Sequence, residues 1–211
     1  YGLYNSSTNV GGRATAGWYD VDKSVGFTPI RPTSVTLAGT GTQSAATNAL
    51  GMVEFLNCST VIVNGVFSSK YTNYKILISN VLGTVSAGAN LYFRLAAGGT
   101  QESNGVYYWV GAYQQNNNAS GNLGGAPGTE ATIGYSGSYS WGLSTVDVCN
   151  PFISGYHTSF YANGMGTVGS GTIIRSESSG DCVSNAQFDG FAIFVGGGLT
   201  RGKIQVLGWN E

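Results

Sequence analysis

Apolar and polar residues alternate along most of the chain. In segments 74–79 and 91–95 every second residue is apolar, which is the pattern of a strand with one buried face. Shorter or less regular versions of this period occur at 51–55, 61–66, 106–113, 146–148, 157–162, 171–175, 191–195 and 203–207. The pattern therefore predicts about ten strands.

Glycine and other turn-forming residues separate these segments. An interior glycine costs a helix about 1 kcal/mol, and glycine interrupts nearly every window in which a helix could form. Without crossover helices a parallel βαβ architecture is excluded, and short strands joined by turns are typical of a sandwich or jelly roll. We predict an all-β fold: a single antiparallel β-sandwich of jelly-roll type. Turns are expected at 97–100, 116–118, 124–128, 178–181 and 196–198.

The first fifty residues differ from the rest. Residues 1–30 carry isolated aromatic side chains without alternation, and we interpret them as an irregular N-terminal arm or attachment segment. Residues 31–50 are rich in Ser, Thr, Ala and Gly, which is typical of a low-complexity linker or an edge segment. The sandwich domain is expected over 51–211. The arm is expected to dock on the sandwich or on a neighbouring subunit, because its pattern cannot build a core alone.

Charged residues are few. The chain has 211 residues, of which nine are Lys or Arg and ten are Asp or Glu, giving a net charge of -1. Its 9% of charged residues compares with roughly 25% in average proteins. The basic residues are scattered, and no apolar run approaches the roughly 18 residues of a spanning helix. We therefore predict no nucleic-acid partner and no membrane insertion.

The sequence offers little with which to build a catalytic site. His157 is the single histidine, and no nucleophile elbow accompanies it. The acidic residues are dispersed, and the one closely spaced pair, Asp20 and Asp22, is not continued into a cation loop. No phosphate-binding loop is present. We predict a protein that is not an enzyme, with no catalytic residue, no metal and no cofactor.

The three cysteines are odd in number. Cys58, Cys149 and Cys182 lack the spacing of a zinc site, and three buried thiols are the favoured interpretation. A bridge between Cys149 and Cys182 is the alternative.

Aromatic residues are the remaining candidates for a binding function. At least one of Tyr107, Tyr108 and Trp109 must face away from the core if they lie on one strand. Tyr and Trp combine a flat apolar face with a polar tip, which suits sugar rings and protein interfaces. The candidate receptor or glycan contacts lie on loops 116–118 and 134–141 and on the adjoining strand. They are Trp109, Tyr113, Asn117, Tyr135, Tyr139 and Trp141. The competing interpretation makes them core and interface residues of a homo-oligomer.

An ordered series of short motifs runs from Ile30 to the end of the chain. The series is IRPTSV at 30–35, NALGMVEF at 48–55, VNGVFSSKYTNYKILI at 63–78, LYFRL at 91–95, VCNPF at 148–152, FDGF at 188–191 and GKIQVLG at 202–208. In this order the motifs resemble a domain of tailed-bacteriophage virion structural proteins, of the tail-fibre or minor tail type. Residues 1–29 have no counterpart in it.

The resemblance implies a jelly-roll-like sandwich displayed on the surface of a phage particle, on the tail or head, usually as a homotrimer. It implies binding at exposed loops, to a host surface glycan or protein, and it carries no motif of functional residues. The arm would then contact other virion proteins. Two alternatives stay open: a capsid decoration or head-fibre protein, and a carbohydrate-binding module of a secreted glycan-active protein.

Overall fold

The strands of the protein form one antiparallel sheet. The computed structural model describes residues 26–83, 89–136, 142–168 and 171–209, and within them the chain is all-β and has no helix. In chain order the strands are β1 (Thr28–Ile30), β2 (Ser34–Ala38), β3 (Ser44–Thr47), β4 (Val53–Asn64), β5 (Asn73–Gly83), β6 (Ala89–Ala97), β7 (Thr100–Gln101), β8 (Tyr107–Gln115), β9 (Ser120–Gly128), β10 (Ala131–Ser136), β11 (Gly142–Cys149), β12 (Thr158–Val168), β13 (Thr172–Cys182) and β14 (Gly190–Trp209).

Two long strands fold this sheet over into two layers. Strand β14 pairs with β4 along one edge, whereas its other edge pairs first with β6 and then with β5. One layer therefore contains β2, β6, β7 and β10 with the first half of β14. The other contains β1, β3, β5, β8, β9 and β11–β13 with its second half. The antiparallel β-sandwich expected from the sequence is thus confirmed.

The fold-over lies where both long strands break their register. Pairing of β14 with β4 is interrupted between Phe194 and Leu199, at the three glycines 196–198. Gly198 has φ +92°, which a side chain would disfavour, and Asn57 on β4 also has a positive φ, of 55°. The glycines that we predicted as a turn between two strands are therefore a bulge within one strand.

The sandwich has two distinct ends. Thr28 and Trp209, the first and last paired residues, lie at one end, where the rings of Phe27 and Trp209 are 5.0 Å apart. We call this the terminal end. At the opposite end, which we call the loop end, β5, β8, β10 and β12 finish and β6, β9, β11 and β13 begin. The bend of β4 and β14 also lies at the loop end.

The core fills the space between the layers. Phe191 is fully buried, and its ring centroid lies 5.9 Å from those of Phe67 and Phe93. Across the layers, the ring of Phe93 lies 6.2 Å from that of Phe160. The backbone N–H of Leu95 donates to the buried Tyr107 hydroxyl at 2.7 Å, which satisfies a polar group inside the core.

Glycines let the two layers approach closely at β10. A Cβ atom on Gly164 of β12 would lie 2.5 Å from the Cα atom of Gly134 of β10, closer than real Cβ contacts. Ser178 of β13 donates to the backbone oxygen of Thr132 at 2.6 Å. Every residue of β10 is buried as a result.

The number of strands is larger than about ten. The ten predicted segments fall on eight strands, because two segments belong to β4 and two to β14. The six strands β1, β2, β3, β7, β9 and β10 were not predicted. Segment 124–128 lies in β9 and 178–181 in β13, where we expected turns. Glycine and serine are tolerated there because neighbouring strands supply backbone hydrogen bonds on the ladder.

Most of the predicted arm lies outside the described residues. Its last three residues form β1, which pairs with β14. The predicted linker or edge segment contains β2 and β3, and both pair with β4.

Candidate contact surface at the loop end

Hydrogen bonds from Asn116 join two turns of the loop end. Its backbone N–H donates to the oxygen of Ile173 at 3.1 Å, and its side-chain oxygen accepts from the Ile173 N–H at 3.2 Å. Its side-chain amide also donates to the oxygen of Gly171, at 3.3 Å. The β8–β9 turn is thereby held against the start of β13.

The β8–β9 turn is built by asparagines. Asn118 has φ 68°, a conformation that asparagine tolerates better than most residues. The side-chain oxygen of Asn117 accepts a hydrogen bond from the N–H of Ala119 at 3.0 Å, an Asx-type bond that fixes the turn. Asn117 is exposed, so it combines this structural role with access to solvent.

Three of the candidate aromatic residues face inward. Trp109 and Tyr113 are half-buried on the inner side of β8, whereas Tyr135 of β10 is only 8% exposed. The structure brings Tyr113 and Tyr135 together edge to face, with ring centroids 6.5 Å apart. Burial, followed by the neighbouring Tyr113 and Tyr92, raises the pKa of Tyr135, so its hydroxyl stays neutral.

Trp109 packs against the core cluster. Its indole nitrogen is buried, and within the described part of the chain no atom accepts a hydrogen bond from it. A Cβ atom on Gly125 would lie 2.7 Å from that nitrogen, so the indole lies directly over the β9 backbone. This geometry leaves little of Trp109 for a ligand.

The other two candidates, Tyr139 and Trp141, lie outside the described residues. The described residues on either side of them, Ser136 at the end of β10 and Gly142 at the start of β11, are both at the loop end.

We call the layer that contains β5, β8, β9 and β11–β13 the larger layer. Two exposed aromatic residues that are not among the predicted contacts lie on its outer side. Tyr108 and Tyr161 are each 45% exposed. The alternation of β8 could have identified Tyr108, since its neighbours Tyr107 and Trp109 point inward. Tyr161 has no such signal, because the apolar period of segment 157–162 is too irregular to show which side it faces.

Three of the seven motifs of the phage resemblance meet at the terminal end. The backbone oxygen of Asp189 accepts hydrogen bonds from Val66 and Phe67, at 2.9 and 3.1 Å. The N–H of Phe188 donates to the oxygen of Pro151 at 2.8 Å. Segments 63–78, 148–152 and 188–191 therefore close one end of the core, which is a structural role rather than a chemical one.

The three cysteines are all thiols, and no bridge joins Cys149 to Cys182. Cys149 and Asp181 are both directly opposite Ser159, so they share one side of the sheet. Cys182 follows Asp181 and therefore points to the other side, into the core. Burial raises the pKa of Cys58 and of Cys182 to about 11, so both are protonated and poorly nucleophilic at neutral pH.

The described titratable residues are dispersed. Among them, no group of three or more His, Cys, Asp or Glu could hold a metal ion. His157 is exposed just before β12. An open groove of about 430 Å³ crosses β3, β4 and β14, and its Glu54 carboxylate is bound to Lys203 at 2.5 Å.

Within the described ranges of the chain, no helix is long and apolar enough to cross a membrane. Comparisons of the chain with protein-family models and with curated proteins give no match.

Proposed function

We propose that the chain is a non-enzymatic structural protein of a bacteriophage particle, of the tail-fibre or receptor-binding type. It is displayed on the virion as a homo-oligomer. Its N-terminal residues contact other virion proteins, and its loop end contacts a glycan or protein of the host surface. The ordered motif series supports the virion assignment.

The separation of the two ends is the observation that carries this proposal. Thr28, which follows the N-terminal residues, is at the terminal end, whereas the β8–β9 turn and the start of β13 are at the loop end. Strand β13 has 11 residues, which span about 35 Å at about 3.3 Å per residue. A chain held by its terminal end would therefore present its loop end away from the point of attachment.

The chemistry of the loop end fits a receptor recognised by hydrogen bonds. The described turns 39–43 and 116–119 and the β14 bulge at 196–198 contain only Gly, Thr, Gln, Asn and Ala, without a charged side chain. Amide and hydroxyl groups match the hydroxyls of a neutral glycan, and the absence of charge in these turns makes such binding insensitive to salt.

An adsorption competition tests the contact function. Host cells saturated with the purified chain are expected to adsorb the phage that encodes it about tenfold more slowly, because occupied receptors are blocked by mass action. Ala119→Arg with Ser120→Arg, both exposed at the loop end, should abolish this competition. Ser154→Arg with Ala186→Arg, exposed at the terminal end, is the matched control and should compete normally.

Unchanged adsorption in the presence of saturating chain would contradict a receptor-binding role. Equal loss of competition in both double variants would contradict the loop end as its location. Turnover of a host polysaccharide by the purified chain would contradict the non-enzymatic assignment.

A further inference from the structure

One side of the larger layer carries most of the exposed apolar residues. We call it the outer face: the side of β5, β11, β12, β13 and β8 that points away from the core. Of the eleven large hydrophobic residues that are exposed among the described ones, six belong to it. They are Tyr108, Val110, Leu143, Tyr161, Met165 and Ile173.

Pairing registers place these residues on one side of four adjacent strands. Leu143 is directly opposite Met165, and both are more than 40% exposed. Ser179 lies between Tyr161 on one side and Val110 on the other. Tyr108 is directly opposite Asp181 on the same side of the sheet. The apolar residues therefore share a band across these strands in which polar side chains lie between them, and exposed apolar patches mark interaction surfaces.

We propose that the outer face packs against a second copy of this chain. The inference rests on the homo-oligomer of the proposed function and names the surface that forms it. The five strands have 8 to 11 residues each, and at about 3.3 Å per residue and about 4.8 Å between strands they form a face of roughly 800 Å² per copy. This area is similar to the contribution of one partner to a standard stable interface.

The charges of the outer face favour a second copy over a charged partner. Lys75 pairs with Asp147 at 2.5 Å, and Arg175 lies 3.6 Å from Glu177. With Asp181 at the terminal end of the face, two cations and three anions leave a net charge of only -1. Two such faces therefore repel each other little, and an acidic or basic macromolecule finds no complementary field.

The residue types also suit a protein interface. Met and Tyr are enriched in the buried centres of interfaces, and here they lie among short polar side chains such as Ser179. Stacked sheets pack face to face in this way, with the side chains of both inner surfaces interdigitating. Burial of the face would also remove its apolar residues from water, which is the driving force for association.

The native mass of the purified chain tests the interface. We expect light scattering coupled to gel filtration to give a multiple of the 21.9 kDa chain mass. Val110→Glu and Met165→Glu should each reduce the mass to that of one chain, because each places a charge within the apolar band. Val110 is 69% exposed, so Val110→Glu does not disturb the core. This variant therefore tests the interface even when Met165→Glu fails to fold.

Thr36→Glu is the matched control. Thr36 is exposed on β2, which belongs to the other layer, so the oligomer should persist. A wild-type mass of 21.9 kDa would overturn the interface, as would an unchanged mass in folded Val110→Glu or equal dissociation of Thr36→Glu. A monomeric chain that still slows phage adsorption would overturn only the interface. An oligomer without any effect on adsorption would count against the receptor contact alone.

Discussion

Replacing Gly164 by alanine is expected to lower the free energy of unfolding by about 3 kcal/mol, near the upper end of what overpacking a core costs. The new Cβ atom would lie 2.5 Å from the Cα atom of Gly134 and 2.8 Å from the oxygen of Ile133. These are backbone atoms, so neither can rotate away. The two layers must separate locally, and the contacts around β10 weaken.

Thermal unfolding at one fixed protein concentration measures this effect. For a domain of this size a loss of 3 kcal/mol lowers the midpoint by about 6–12 °C. Gly196→Ala is the matched control, because nothing lies within 4 Å of the position of its Cβ atom. We expect its midpoint to stay within about 2 °C of the wild-type value. Equal midpoints for both variants would contradict the close packing of β10 on β12.

Replacing Phe191 by alanine is expected to cost about 4 kcal/mol, the usual loss for a fully buried aromatic ring. Phe191 is 0% exposed and belongs to the FDGF motif. Its ring contacts those of Phe67 and Phe93, whose segments also belong to the motif series. Removal of the ring leaves a cavity where these segments meet, so the motif that carries the phage resemblance is expected to be essential for stability.

Phe194→Ala provides the comparison within the same strand. Its half-buried ring stacks on Tyr92 at 5.3 Å and lies 4.5 Å from the Arg94 guanidinium, on the opposite side of β14. Loss of these contacts is expected to cost about 1 kcal/mol. Chemical denaturation resolves the difference, and a larger loss for Phe194→Ala than for Phe191→Ala would contradict the assignment of the core.

The strands that alternation predicts are those with one side in the core and one in water. Strand β8 is such a case, because Tyr107 is buried and Tyr108 is exposed. Strand β10 lacks this signal, since all six of its residues are buried. Strand β9, with the sequence SGNLGGAPG, has almost no apolar residues and is held by its pairing with β8. Neither β9 nor β10 depends on an alternation of apolar and polar residues, so this alternation could not predict either strand.

Side-chain direction limits prediction of the contact surface in the same way. Aromatic residue type and nearness to a turn do not show which way a side chain points, and Trp109 and Tyr113 point inward. Asn117 lies in the exposed turn that its own hydrogen bond fixes. The apolar band of the outer face emerges only when the registers are known, because β8 lies beside β13 although β9–β12 separate them in sequence. Sequence spacing cannot show such a juxtaposition.

Immunogold electron microscopy of purified particles tests the central claim most directly. Under the proposed function, antibodies raised against the purified chain label the tail fibres or tail tip of a phage particle, at symmetry-related positions. Label confined to the capsid would reject the tail assignment in favour of the decoration or head-fibre alternative. Particles without label, when the same antibodies detect the chain elsewhere in infected cells, would contradict a role as a virion structural protein.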